Sequence, residues 1–230
     1  LNEYIESDLD KLMDRTKNRP IPSGAISSKT GLVFGIIMSL FGIGFFWFLV
    51  HKGAAILSAL TLILYIFVYT PLKRRTPLNT LVGALPGALP PLGGWLAATG
   101  ELTKEAWILF AILFAWQIPH FLSIAWIYRK DYKKGGFKMY TGEKKLTVFR
   151  LYIFIFTFLM IYYSVLPTMV GIAGTFYLTG AMILGMIFFF ASMGLIINQS
   201  GKTAKVLLKT TVFYLPLLLI LYIFEQNFIR

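Results

Sequence analysis

The sequence predicts an all-α membrane protein, a polytopic helical bundle of about seven transmembrane helices. Three observations predict it. Of 230 residues, 57% are hydrophobic and only 14% are charged, whereas soluble domains carry about 25% charge. The apolar residues fall in blocks of membrane length, since a hydrocarbon core of roughly 30 Å needs about 20 apolar residues per helix. The blocks do not alternate in polarity over about ten residues, as the strands of a membrane barrel do. Lipid offers the backbone no water, so helices are the remaining spanning solution.

Uncharged or nearly uncharged blocks occupy 31–50, 53–72, 78–98, 106–128, 151–173, 175–198 and 210–224. The third differs from the rest. Its "GALPGALPPLGG" carries three prolines, which remove backbone hydrogen bonds, and glycines that admit close neighbours. It is expected not to form one undisturbed helix. Irregular backbone at membrane depth is tolerated where it lines a cavity, so this block reads either as a chamber wall or as a packing kink. The chain is expected to form a single domain over 1–230. It starts with Leu inside a polar stretch, carries no cleavable signal, and is expected to lack its true beginning. The absence of cysteine says little about compartment.

Charge sets the topology. The segment 1–30 holds Lys11, Arg15, Lys17, Arg19 and Lys29; the loop near 73–77 holds Lys73, Arg74 and Arg75. The 129–150 loop holds Arg129, Lys130, Lys133, Lys134, Lys138, Lys144, Lys145 and Arg150, and the 199–209 loop holds Lys202, Lys205 and Lys209. With seven spans these loops share one side, leaving only Lys52, Lys104 and Arg230 for the other. The positive-inside rule makes the rich side cytoplasmic, in a cell membrane crossed many times. The net charge of +12 is then mostly topology. A nucleic-acid partner is not supported, because no soluble domain presents a groove.

The opening "LNEYIESDLDKLMDRTKNRP" is the first candidate site. Asn2, Glu6 and Asp10 stand at i, i+4 and i+8, and each step on a helix turns about 400°. They form one polar stripe roughly 12 Å long, with Asp14 one step further. Such oxygen donors suit Mg²⁺, which favours carboxylates, waters and substrate phosphates. Asp8 points elsewhere. Arg15 and Arg19, four apart, are able to face one anionic ligand. Pro20 and Pro22 end the helix, and Gly24 opens a turn. The alternative is a solvated helix held by pairs of Asp10 and Asp14 with Lys11, Arg15 and Lys17.

His120 lies eight residues inside the end of its span, about 12 Å deep, where ionisable residues are rare and usually functional. Pro119 frees a nearby carbonyl. A hydrogen-bonded packing histidine is the other reading. His51, in the short turn "LVHKG", reads as an interface residue. Lys73, Arg74 and Asn79 flank the third span and suit phosphate. Tyr69 faces either a cation or the aromatic belt.

"NEYIESDLDKLMDRTKNRPIPSG" resembles the first aspartate-rich motif of the UbiA superfamily of intramembrane prenyltransferases, N-x-x-x-D-x-x-x-D followed by R-T-x-x-R-P, with Glu6 in place of the middle Asp. "YTPLKRRTPLNTLVGALPGALPPLGGW" (69–95) and "WQIPHFLSIAWIYRKDYKKGGFKM" (116–139) resemble the protohaem IX farnesyltransferase, or haem O synthase, branch. The similarity runs along the whole chain, which lacks the first and most of the second of that family's nine helices. Where most of the superfamily has a second D-x-x-x-D motif, "YRKDY" places Tyr128 and Tyr132 at the acid positions and leaves Asp131 the only carboxylate.

The resemblance implies transfer of farnesyl from farnesyl diphosphate to the 2-vinyl group of haem B, with water added, giving haem O and diphosphate. It implies at least one Mg²⁺ on Asn2, Glu6 and Asp10, with Asp131 an additional ligand or a loop acid paired with Lys130 or Lys134. It implies a diphosphate cradle of Arg15, Arg19, Lys73, Arg74 and Asn79, haem contact at His120, and a haem A synthase or oxidase assembly partner. The cation released from the diphosphate needs an aromatic, dry pocket and no covalent nucleophile. Two other readings stay open: prenyl transfer to an aromatic or chlorin acceptor, which a second acid pair would favour, and a transporter for an anionic or lipid substrate. A transporter should carry its acids mid-span on facing helices, whereas these acids cluster at one mouth.

Overall fold

The computed structural model describes residues 1–142 and 145–228; Lys144 and Arg230, named above for topology, lie outside them. The described residues form ten α-helices: α1 (Asn2–Asp10), α2 (Ser28–Phe45), α3 (Lys52–Ile63), α4 (Thr70–Arg75), α5 (Asn79–Thr99), α6 (Lys104–Ile127), α7 (Arg129–Lys134), α8 (Leu146–Met169), α9 (Thr175–Ile197) and α10 (Gly201–Phe228). Two π-helical segments, Phe46–Val50 and Leu64–Tyr69, extend α2 and join α3 to α4. Seven helical stretches among the described residues are long and apolar enough to cross a membrane: Ser28–Val50, Lys52–Arg75, Asn79–Thr99, Lys104–Ile127, Leu146–Met169, Thr175–Ile197 and Gly201–Phe228. The all-helical, seven-span expectation holds.

Boundaries moved where charge had been taken for loop. The last span begins at Gly201 rather than 210, because Lys202, Lys205 and Lys209 sit inside α10. Lysine is a good helix former, and its stem lies along apolar surface while its ammonium reaches water. Lys73, Arg74 and Arg75 likewise form the last turn of α4, and the 129–150 stretch contains α7. The third block is corrected too. It is one continuous helix, α5, with Pro86, Pro90 and Pro91 inside it. Each proline withholds one N–H without breaking the rod, and lipid gives the remaining backbone groups no better partner than their own helix.

The chain divides into two compact units. Leu1–Leu102 with Tyr128–Met139 form the first; Thr103–Ile127 with Tyr140–Arg230 form the second. In the first, α2 and α5 both pack on α3. Ala54 and Ala55 on α3, and Ala84 and Ala88 on α5, are fully buried. Small side chains let helices approach closely, which replaces the hydrophobic drive that lipid cannot supply.

In the second unit α6 packs on α8 and α10, and α9 packs on α8 and α10. Phe149, Met160, Phe188 and Leu207 fill its interior. Helix-to-helix hydrogen bonds cross it: Thr157 to Ser192 at 2.9 Å, and the Tyr214 hydroxyl to Ser164 Oγ at 2.9 Å. Each such bond contributes about 0.6 kcal/mol in membranes. Glu225 is a buried acid outside the opening cluster. Its carboxylate accepts from the N–H groups of Gly174 (2.7 Å) and Tyr177 (3.3 Å) at the start of α9. It satisfies a helix N-terminus, where a negative charge is favoured.

Candidate active site

Helix α1 ends at Asp10 because the chain turns there. Thr16, fully buried, donates its hydroxyl to the Asp10 carbonyl at 3.0 Å, satisfying a terminal acceptor of the helix. The chain then loops back through a turn at Gly24, whose φ is +82°, a conformation that glycine adopts without penalty. Glu3 holds that return by accepting from the Ile21 N–H at 2.8 Å. Because α1 stops, Asp14 does not continue the stripe. It is exposed and pairs with Lys17 (2.9 Å) and Lys134 (2.8 Å). Hydrogen bonds from Lys134 and Lys17 hold its carboxyl down at about 2.

Asn2, Glu6 and Asp10 do share one face, and that face lines a polar cavity of about 170 Å³ within the first unit. Met13, Arg15, Arg19, Tyr65, Tyr69, Lys73, Tyr132, Phe137 and Met139 complete its wall. Glu6 and Asp10 are almost fully buried, and each is paired. The Lys73 ammonium lies 2.9 Å from Glu6 Oε2 and 3.5 Å from Asn2 Oδ1. The Arg19 guanidinium lies 2.9 Å from Asp10 Oδ2. Thr70 fixes Asn2, its hydroxyl 3.0 Å from Oδ1. Glu6 Oε1 is buried and has no hydrogen-bond partner among the described residues.

The wall around these charges is aromatic. Lys73 lies 4.6 Å above the Tyr69 ring and 5.9 Å above Tyr65. Both tyrosines come from the π-helical segment, and their rings meet edge to face at 5.1 Å. Gly83 on α5 makes room for Tyr69, because a Cβ there would stand 2.5 Å from its Cε2. Phe137 and Met139 are held over the cavity by a backbone strap. The Lys138 N–H donates to the Lys73 carbonyl at 2.8 Å, and Asn79 donates its amide to the carbonyls of Lys138 and Thr76, each at 2.7 Å.

"YRKDY" builds a clamp for Arg15. The guanidinium carbon lies 5.0 Å from the Tyr128 ring centre and 5.4 Å from that of Tyr132. Arg15 also donates to the Tyr132 hydroxyl at 3.1 Å, while its backbone N–H donates to Asp131 Oδ2 at 3.3 Å. Burial pushes the Tyr132 phenol up, so at neutral pH it stays protonated and accepts from Arg15 without sharing its charge.

Of the residues expected from sequence, the structure gathers Asn2, Glu6, Asp10, Arg15, Arg19, Lys73 and Tyr69 at one cavity. Asp131 sits against the Arg15 backbone and is not among the lining residues. Arg74 is exposed and does not line it. Asn79 holds the strap instead of facing the cavity. His120 belongs to the second unit. Its Nδ1 is 2.8 Å from Thr211 Oγ1, and its ring stacks on Trp116 at 4.8 Å. Thr211 spends its single hydroxyl proton on the Leu208 carbonyl at 2.7 Å. With that proton so placed, Thr211 accepts from His120 Nδ1–H, the tautomer in which Nε2 keeps its lone pair. His51 accepts from the Gly53 N–H at 3.1 Å and caps α3.

Tyr65, Phe137, Met139, Thr70 and Thr211 were not legible as site residues. Nothing in hydropathy separates them from other membrane-belt or packing residues.

Fold and cavity together define a helical membrane protein that pairs two buried carboxylates with two cations, Lys73 and Arg19, and sets Arg15 beside them in a wall that carries aromatic rings. Known proteins match the chain in sequence and in fold. The UbiA prenyltransferase family model matches residues 1–218. Over 219 residues the chain is 42% identical to the protoheme IX farnesyltransferase of Solibacter usitatus, covering 95% of this chain and 75% of that one. To the protoheme IX farnesyltransferase of Flavobacterium psychrophilum it is 40% identical over 230 residues, covering 98% and 76%. A solved UbiA homologue from Aeropyrum pernix K1 superimposes with a TM-score of 0.73 at 15% identity, covering 95% of this chain and 82% of that one. A digeranylgeranylglyceryl phosphate synthase structure does so with a TM-score of 0.73 at 20% identity, covering 96% and 77%; at those identities the likeness concerns fold. The chain belongs to the UbiA prenyltransferase family, and its sequence relatives place it as an enzyme of the protoheme IX farnesyltransferase branch.

Proposed function

We propose that this enzyme transfers the farnesyl group of farnesyl diphosphate to a vinyl group of haem B with addition of water, giving haem O and diphosphate. The observation that carries it is the cavity, where Lys73, Arg15 and Arg19 stand beside Glu6 and Asp10 under an aromatic roof. Three cations suit the two phosphates of the leaving group. Asn2, Glu6 and Asp10 fit Mg²⁺. They offer an amide oxygen and two carboxylates, one with the orphaned Oε1, and a hard cation completes such a set with waters and substrate phosphate. Among the described residues no group of three or more His, Cys, Asp or Glu could hold a metal, so diphosphate oxygens must supply the balance. When bound, the ion would neutralise the charge that develops on the leaving diphosphate.

The chain's own residues account for the other needs. Arg15, Arg19 and Lys73 hold the phosphates so that the C–O bond breaks toward a neutralised leaving group. Tyr65, Tyr69 and Phe137 line the cavity, where an allylic cation is favoured by cation–π attraction. The vinyl group attacks that cation, water adds to the new one, and a proton leaves. His120 Nε2, with its tautomer set by Thr211, is the haem iron ligand in this reading. The excess of basic residues in alternate loops supports a cavity mouth on the cytoplasmic side of the cell membrane. The product would pass to a haem A synthase or oxidase assembly partner in that membrane. One family model running over 1–218 supports a single domain.

The test is incubation of purified enzyme in lipid with labelled farnesyl diphosphate, haem and Mg²⁺. Label appearing in haem O is the expected result. Label reaching only an aromatic or chlorin acceptor, or crossing the bilayer unreacted, overturns the reading. Arg15→Ala should raise the KM for farnesyl diphosphate about ten- to hundredfold, the worth of a hydrogen bond to a charged group. Tyr132→Phe, which keeps the ring and loses only the acceptor, should raise it a few-fold. If only the haem KM moves, the arginine belongs to the haem propionates.

A further inference from the structure

Each of the cavity's three oxygen-bearing metal candidates, Asn2, Glu6 and Asp10, already touches one of the protein's own cations. Lys73 holds Glu6 Oε2 and Asn2 Oδ1, and Arg19 holds Asp10 Oδ2. Among the described residues Glu6 Oε1 has no hydrogen-bond partner. Three cations and two carboxylates line the wall, which leaves one net positive charge. A bare divalent ion entering this space would displace two internal counter-ions and raise the charge to three positive. In a small buried cavity, like charges repel far more than in water. A prenyl diphosphate carries about three negative charges at neutral pH. Together with one divalent ion it carries one net negative charge, which cancels the cavity's own.

We infer that Lys73 and Arg19 are internal counter-ions that bar the metal alone and admit it only together with diphosphate, to which they transfer from Glu6 and Asp10. The inference rests on the proposed function and names how its site selects. Both cations have somewhere to go, since each lines the same cavity as its carboxylate. Linkage requires the effect to be reciprocal: diphosphate must raise metal affinity by the same factor as metal raises diphosphate affinity.

The experiment is equilibrium dialysis of the full chain in detergent against Mn²⁺, with and without inorganic diphosphate, retained metal and phosphate both being counted. The parent is expected to bind Mn²⁺ at least about a hundredfold more tightly with diphosphate present, the size of a strong coupling. Lys73→Met should tighten binding of Mn²⁺ alone about tenfold and shrink the coupling by a similar factor. Arg19→Gln removes a half-exposed cation and tests the same point without emptying a buried position. Equal Mn²⁺ affinity in the parent with and without diphosphate overturns the inference. So does Mn²⁺-alone affinity unchanged in both variants. Diphosphate retained without any metal overturns it while leaving the diphosphate site intact; retention of neither overturns the proposed function as well.

Discussion

Asp10→Ala is expected to lower prenyl transfer about a thousandfold, the scale of losing a metal-held charge at the leaving group. Asp10 is almost fully buried, points into the cavity and shares it with Glu6. Its partner Arg19 is 40% exposed in its side chain, so water takes up the orphaned guanidinium and the fold survives. Glu6→Ala should lose as much activity and be less stable. Lys73 is only 11% exposed, and stranding a buried charge costs about 3–5 kcal/mol. Glu6→Gln separates the effects, because it keeps the shape and an acceptor for Lys73 while losing the carboxylate. Asp8 is the control. It is 94% exposed and reaches only Lys11, at 3.8 Å, so Asp8→Ala should leave turnover near the parent's. Turnover of farnesyl diphosphate and thermal unfolding in detergent check each variant. Parental activity in Asp10→Ala sinks the assignment.

The second large effect is expected at His120. His120→Gln keeps size and polarity but ligates iron poorly. It should lose haem transfer about a hundredfold or more while diphosphate binding is unchanged, and the bound-haem absorption spectrum should shift as an axial nitrogen is lost. Thr211→Val tests the tautomer. It removes the acceptor for Nδ1–H while nearly preserving volume, and outer partners of this kind are worth about 10–100-fold. A His120→Gln enzyme with parental spectrum and turnover would show a packing histidine, hydrogen-bonded to Thr211 and stacked on Trp116.

The acids and arginines at the opening were legible because their spacing is local. Four-residue steps on one short helix need no knowledge of what lies opposite. Lys73 was legible only as a basic residue, since what makes it part of the site is the Glu6 carboxylate, 67 residues away in the chain. The tyrosines of "YRKDY" looked like substitutes for lost acids. Their work is to hold Arg15, a contact across more than a hundred residues that no local pattern carries. Asn79 and Arg74, which do not line the cavity, show the same limit of local pattern: near a span end, a strap anchor, a solvated cation and a phosphate ligand read alike. The proline-rich block was misread because local propensity argues against a helix, whereas lipid leaves the backbone little choice.

The π-helical segment Leu64–Tyr69 amounts to one extra residue inserted into an otherwise regular rod. In a straight α-helix, deleting one residue rotates everything beyond it by about 100° and shortens the rod by about 1.5 Å. In this segment the wide turn already absorbs the extra residue, so removing Phe67, a lipid-facing residue, would return the rod to ordinary pitch with Lys73 still on the line that reaches Glu6 and Asn2, whereas winding all of Leu64–Tyr69 as α-helix would swing it off by about 100°. The position of the ammonium therefore depends on how the residues before it are wound as well as on how many they are, a reading frame carried in the backbone. Every side chain of the site would still be present in such a rewinding, in the same order, and the ammonium would no longer reach the carboxylate.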